Sequence, residues 1–101
     1  MPNYFKDKVS GYYIYFTSKC IVEAMHAHAN NKGPIPSGSA KFWVYEDGTS
    51  KLVEKGVCPL SKKDIAEIQN HIYLNFERMK TMWAEFACDG DESKIEFRRN
   101  R

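Results

Sequence analysis

No stretch of this sequence stays apolar for the ~20 residues that a membrane-spanning helix requires. A bilayer is therefore not among the expected partners. Cysteine is scarce: Cys20, Cys58 and Cys88 are odd in number, far apart and never in CxxC spacing. That pattern argues for reduced thiols and against a disulfide framework or a zinc knot, and the expected compartment is the cytoplasm. Lys6, Asp7 and Lys8 precede any apolar run, which does not fit a signal peptide. Charge of one sign is also missing. The formal balance of +2 does not demand nucleic acid, although Arg98, Arg99, Asn100 and Arg101 form a locally basic end. No internal repeat or linker divides the chain, no motif names a reaction, and no cofactor is expected.

What the chain does have is apolar and aromatic bulk: 43% hydrophobic residues, with two Trp, six Tyr and six Phe among 101. That suffices for one modest core, hence a single domain over 1–101 with its core in 11–87. The strongest pattern lies between Ser61 and Ala87. Ile65, Ile68, Ile72, Phe76, Met79, Trp83 and Phe86 recur at steps of three or four, the period of an amphipathic helix. Ser61 is placed to cap it, Asp64 to complete a capping box, and Leu60 to staple onto Ile65. Cys88-Asp89-Gly90-Asp91 supplies a stop. One long helix over 61–87 is predicted.

Ahead of it come strands. Tyr12 to Thr17 is aromatic and β-branched, and Ala40 to Tyr45 reads the same way. Met25-His26-Ala27-His28-Ala29 alternates and is predicted as a strand with two different faces. Glu46-Asp47-Gly48 signals a hairpin turn into a weaker strand over 49–55. Residues 30–39 hold the Gly and Pro of a loop, and residues 1–10 read as a lead-in. Residues 93–98 alternate again, as an added edge strand or as a tail that orders on a partner. The predicted class is α+β: an antiparallel sheet of three to five strands packed on one long C-terminal amphipathic helix.

Alternation sorts the strand residues onto two faces. Tyr12, Ile14, Phe16, Met25, Ala27, Ala29, Ala40, Phe42 and Val44 would lie beneath the helix. Tyr13, Tyr15, His26, His28, Lys41, Trp43 and Tyr45 would lie on the other side. One helix covers one face, so this second set is expected to stay partly open, and exposed aromatic area marks a contact surface. About 26 helical residues would span roughly 39 Å, against about 20 Å for a six-residue strand. The helix must therefore overhang the sheet or kink, leaving its far end near Met79, Trp83 and Phe86 in need of a neighbour, either residues 93–98 or a second chain. The expected partner-binding residues are Tyr13, Tyr15, Trp43, Tyr45 and Trp83.

Two chemical uses of the open face remain. His26 and His28, two apart on a strand, could give two imidazoles to a metal, with Cys20, Glu23 or His71 completing the set. Alternatively, His26 and His28 could act as base and acid around an RNA phosphodiester, with Lys41 meeting the developing negative charge. Tyr13, Tyr15, Trp43 and Tyr45 would then serve as base-stacking platforms.

The succession Tyr12 to Phe16, Met25-His26-Ala27-His28, Ala40-Lys41-Phe42-Trp43-Val44, Ser61 to Ile68 and Trp83-Ala84-Glu85-Phe86 resembles a family of small bacterial proteins, the domain-of-unknown-function family 4160. The likeness covers residues 12–87. Members commonly carry a proline before the first histidine, where this chain has Glu23-Ala24, and a valine or phenylalanine where it has Ala27. The resemblance implies a gene context like that of a toxin–antitoxin pair, with no activity to transfer onto His26, His28 or Lys41. The expected function is that of an interaction protein in such a pair. Its partner would be the product of a neighbouring gene or a second copy of the chain. An RNA-cleaving toxin and a metal-binding module are the alternatives, so whether the protein is an enzyme stays open.

Overall fold

A computed structural model describes residues 3–16, 24–32 and 38–98. Cys20, Glu23, the middle of the Gly/Pro loop and Arg99 to Arg101 fall outside the described residues. Four strands form the sheet: β1 (Tyr13–Tyr15), β2 (His26–Asn30), β3 (Ala40–Val44) and β4 (Ser50–Glu54). They follow one another in the order β1-β2-β3-β4, each pair antiparallel. This is the meander that short connections between alternating segments favour. The β3–β4 turn closes with Tyr45 N–H on Thr49 O at 2.8 Å and Gly48 N–H on Tyr45 O at 3.0 Å. Asp47 Oδ1 accepts from the Thr49 backbone and hydroxyl, and Gly48 takes φ +88°, a conformation that costs glycine little.

The helical stripe is present, but it is broken in two. α1 spans Lys62–Leu74 and α2 spans Phe76–Ala87, with Asn75 between them at φ −116°, ψ 18°. This corrects the single long helix. Asn75 Nδ2 donates to His71 O at 2.9 Å, and its backbone N–H is shared between His71 O and Ile72 O. A short amide side chain bonding back to the preceding turn competes with the helical ladder, which is where helices bend. The start of α1 follows the capping-box rule: Asp64 N–H donates to Ser61 Oγ at 3.1 Å, and Ser61 N–H to Asp64 Oδ2 at 3.0 Å.

The stripe crosses the break and buries Ile68, Ile72, Phe76, Met79 and Trp83. Against it lies the inner face of the sheet, where Ile14, Ala27, Ala29, Ala40, Phe42 and Val44 are all buried. The register sets Ala27 opposite Phe42 and Ala29 opposite both Ile14 and Ala40. Small residues beside large ones leave room for the helical side chains to interlock. Gln69 Nε2, donating to Ser50 O at 2.9 Å, ties α1 to β4.

Two terminal segments complete the core. Residues 3–10 are more than a lead-in: Tyr4, Phe5 and Val9 are buried. Asn3 bridges to Tyr15, and Tyr4 N–H donates to Ile14 O at 2.8 Å, covering the outer edge of β1. After α2, a 3-10 turn over Glu92–Lys94 leads into an arm that forms no strand. Ile95 of this arm is buried, Phe97 packs on Phe76 at 6.0 Å, and Met25 N–H donates to Glu96 O at 2.8 Å.

Candidate functional site

The outer face is narrower than alternation alone suggests. Of its residues, Tyr15 (0% exposed), Tyr45 (6%) and His26 (0%) are buried, while Tyr13, His28, Lys41 and Trp43 keep part of their surface. Trp83, expected to need a partner, is 1% exposed and packs within this chain, on Phe16 at 5.4 Å and His26 at 5.3 Å.

His26 opens β2, and its ring is enclosed by three others: Trp83, Trp43 at 5.6 Å and His28 at 5.0 Å, each edge to face. Its Nδ1 donates to Ala24 O at 2.8 Å. A carbonyl can only accept, so this bond fixes the proton on Nδ1. The backbone carbonyl of His26 accepts from Tyr4 Oη at 2.9 Å. Such a ring fills space and steadies its neighbours, and no ligand can reach it from solvent while those contacts hold.

His28 and Lys41 are brought together. They are direct cross-strand partners, and Tyr15 is the partner of His28 on the other side. Side chains so placed have Cβ atoms about 5 Å apart. Tyr15 stacks at a tilt on His28 at 5.5 Å. Tyr15 also shares a short hydrogen bond with Ser39, whose Oγ accepts from Asn30 Nδ2 at 3.1 Å. This polar network holds the β1–β2–β3 rows in register beneath the exposed residues.

Trp43 carries two cations on its ring. Lys41 Nζ lies 4.4 Å from its ring centroid, and Arg98 Cζ, from the C-terminal arm, lies 4.9 Å away. Tyr13 is treated similarly, with Lys8 Nζ at 4.8 Å. Sequence reading pairs Lys41 with this face but gives no reason to bring Lys8 or Arg98 to it. Lys51 is the cross-strand partner of Trp43, and Glu54 that of Lys41. A cation over an indole is attracted by the ring quadrupole, by about 0.5–1 kcal/mol at exposed sites.

Among the described residues no group of three or more His, Cys, Asp or Glu is arranged to hold a metal ion. His71, one suggested third ligand, packs edge-on against Phe5 at 4.4 Å. No helix is long and apolar enough to cross a membrane among the described residues. A cleft of about 330 Å³ lies elsewhere, lined by Glu46, Lys80, Glu92, Ser93, Ile95 and Phe97. Its cation is already paired: Lys80 meets Glu92 of the lining at 3.9 Å and Glu77, outside it, at 3.0 Å. That pairing gives the cleft a structural account.

Compared with known proteins, residues 11–84 match a family model described as a domain of unknown function, DUF4160. The match takes in the whole sheet, α1 and most of α2, and stops before the arm that carries Arg98. No curated protein and no solved structure matches the chain.

Proposed function

The chain belongs to the DUF4160 family, and from that premise we propose that it is a binding module. In this reading it forms one half of a toxin–antitoxin-like pair and docks the product of a neighbouring gene on the outer face of the sheet. One observation carries the reading. Trp43 is left at the surface, with Lys41 and Arg98 resting on it, while the other expected contact aromatics except Tyr13 are buried. Large, rigid rings beside cations are the residue types that dominate protein interfaces.

The nuclease reading draws support from the His28–Lys41 pairing. It is the weaker of the two, because acid–base cleavage with two imidazoles needs both at the substrate and His26 is 0% exposed. One experiment tests both readings. The protein is co-expressed with the neighbouring gene product, scoring growth and co-purification, for wild type, Trp43→Ala, and His26→Ala with His28→Ala. The docking reading expects a complex that Trp43→Ala disrupts. A complex indifferent to Trp43→Ala would contradict it, and growth arrest that survives the double histidine change would remove the acid–base role. Light scattering on the purified protein reports whether a second copy occupies the face instead.

A further inference from the structure

We infer that the element the partner lays on this face is an acidic segment, gripped by Lys41 and Arg98 where both rest on Trp43. The inference deepens the docking reading above and rests on it. It starts from how the exposed rings are covered. Both partly exposed aromatics of the outer face carry cations: Lys8 over Tyr13, and Lys41 and Arg98 over Trp43. A nucleobase stacking on either ring would have to displace a cation and forfeit its attraction to the ring. A carboxylate meets those cations where they already lie, and a guanidinium can hold it through two parallel N–H bonds.

Charge points the same way. Lys8, Lys51 and Arg98 reach the face among the described residues, beside Lys41, which the register sets opposite Glu54. Arg98 is also held in place by more than its own contact. The arm that carries it is anchored by buried Ile95, by Phe97 on Phe76, and by Glu96 O accepting from Met25 N–H. A cation fixed by its backbone loses less freedom when it binds. This arm lies beyond residues 11–84, so the matched domain supplies Trp43 and Lys41 and the arm supplies the second cation. Tyr13 and Trp43 sit two strands and four residues apart in the register, roughly 16 Å at strand spacing. An extended segment of about five residues bridges that gap.

The test uses fluorescein-labelled octaglutamate as the probe, with a Gly-Ser octapeptide and octauridylate RNA as comparators, read by anisotropy at low salt. Proteins are wild type, Lys41→Glu with Arg98→Glu, and Lys62→Glu as a control on exposed α1 surface; far-UV circular dichroism checks folding. Saturable octaglutamate binding, weakened at least tenfold by the double reversal and less than twofold by Lys62→Glu, is the expected result. Equal loss for the control, equal binding of the neutral peptide, or tighter binding of octauridylate than octaglutamate overturns the inference. The last outcome would move the ligand class to single-stranded nucleic acid. The docking reading fails separately. A neighbour complex that the double reversal leaves intact sinks only the acidic-segment inference. Octaglutamate binding with no neighbour complex sinks only the docking reading.

Discussion

The two faces of this sheet share every strand and differ in what closes them. On the inner face, alanines sit beside Ile14, Phe42 and Val44, and the helical stripe covers them so that each of these is buried. On the outer face, rings and cations lie over one another, and Tyr13, His28, Lys41 and Trp43 keep contact with solvent. The first face is closed by shape, and its free energy comes from apolar area removed from water. The second is held by weaker, geometry-dependent contacts that leave surface available. Folding should therefore depend on one face and binding on the other.

The largest effect that would sharpen this contrast is Phe42→Ala. Phe42 is fully buried, and removing its ring should cost about 3–5 kcal/mol, read as the shift in urea midpoint. Ala27→Leu is next. Ala27 is fully buried opposite Phe42, so extra methylenes there should cost about 1–3 kcal/mol by overpacking. If Ala27→Leu left the midpoint unchanged, the inner face would not be tightly packed and the contrast would weaken. Ser61→Ala, which removes the cap of α1, should cost about 1 kcal/mol. Trp43→Ala, although it deletes a larger side chain than any of these, should cost less than Phe42→Ala because Trp43 keeps part of its surface in water and Phe42 keeps none.

The smallest effect is one of pH and belongs to neither face. Asp64 is held below its ordinary value of 3.8, first by the hydrogen bond from Ser10 Oγ and then by the Ser61 backbone N–H. A depressed folded pKa means that the unfolded chain takes up the proton more readily. The stabilisation is present above the ordinary carboxylate pKa and is lost as pH falls through the lower, folded one. Asp64→Asn should therefore lower the urea midpoint at pH 7 and flatten its decline toward pH 3. An unchanged acid limb would mean that Ser10 and Ser61 do not hold the carboxylate as described.

Much of the fold was legible because period and packing coincide. The inner-face residues read from alternation are all buried, and the Ser61–Asp64 box forms as its spacing dictates. The features that escaped are non-local or depend on a single side chain. The apolar stripe runs straight through Asn75, so periodicity cannot register a break made by one amide bonding back to His71. Tyr4 and Phe5 join the core only because residues 3–4 pair with β1 across a turn, and a short aromatic pair has no period to announce that. His26 has the right alternation for the outer face, yet it opens β2 within reach of Trp83, a residue distant in sequence that alternation does not place there. The alternation of Ile95 and Phe97 is visible in sequence. Whether they settle on this chain or on another is decided by the match to Phe76 and Met25, which are distant in sequence.

The most direct test of the separation between faces is a paired measurement on Trp43→Ala: calorimetric titration with the co-expressed neighbouring gene product, and the urea midpoint of the same sample. The account predicts binding weakened by at least tenfold, with a loss of stability smaller than that of Phe42→Ala. Full-strength binding by Trp43→Ala, or a collapse in its stability as large as that of Phe42→Ala, would contradict it.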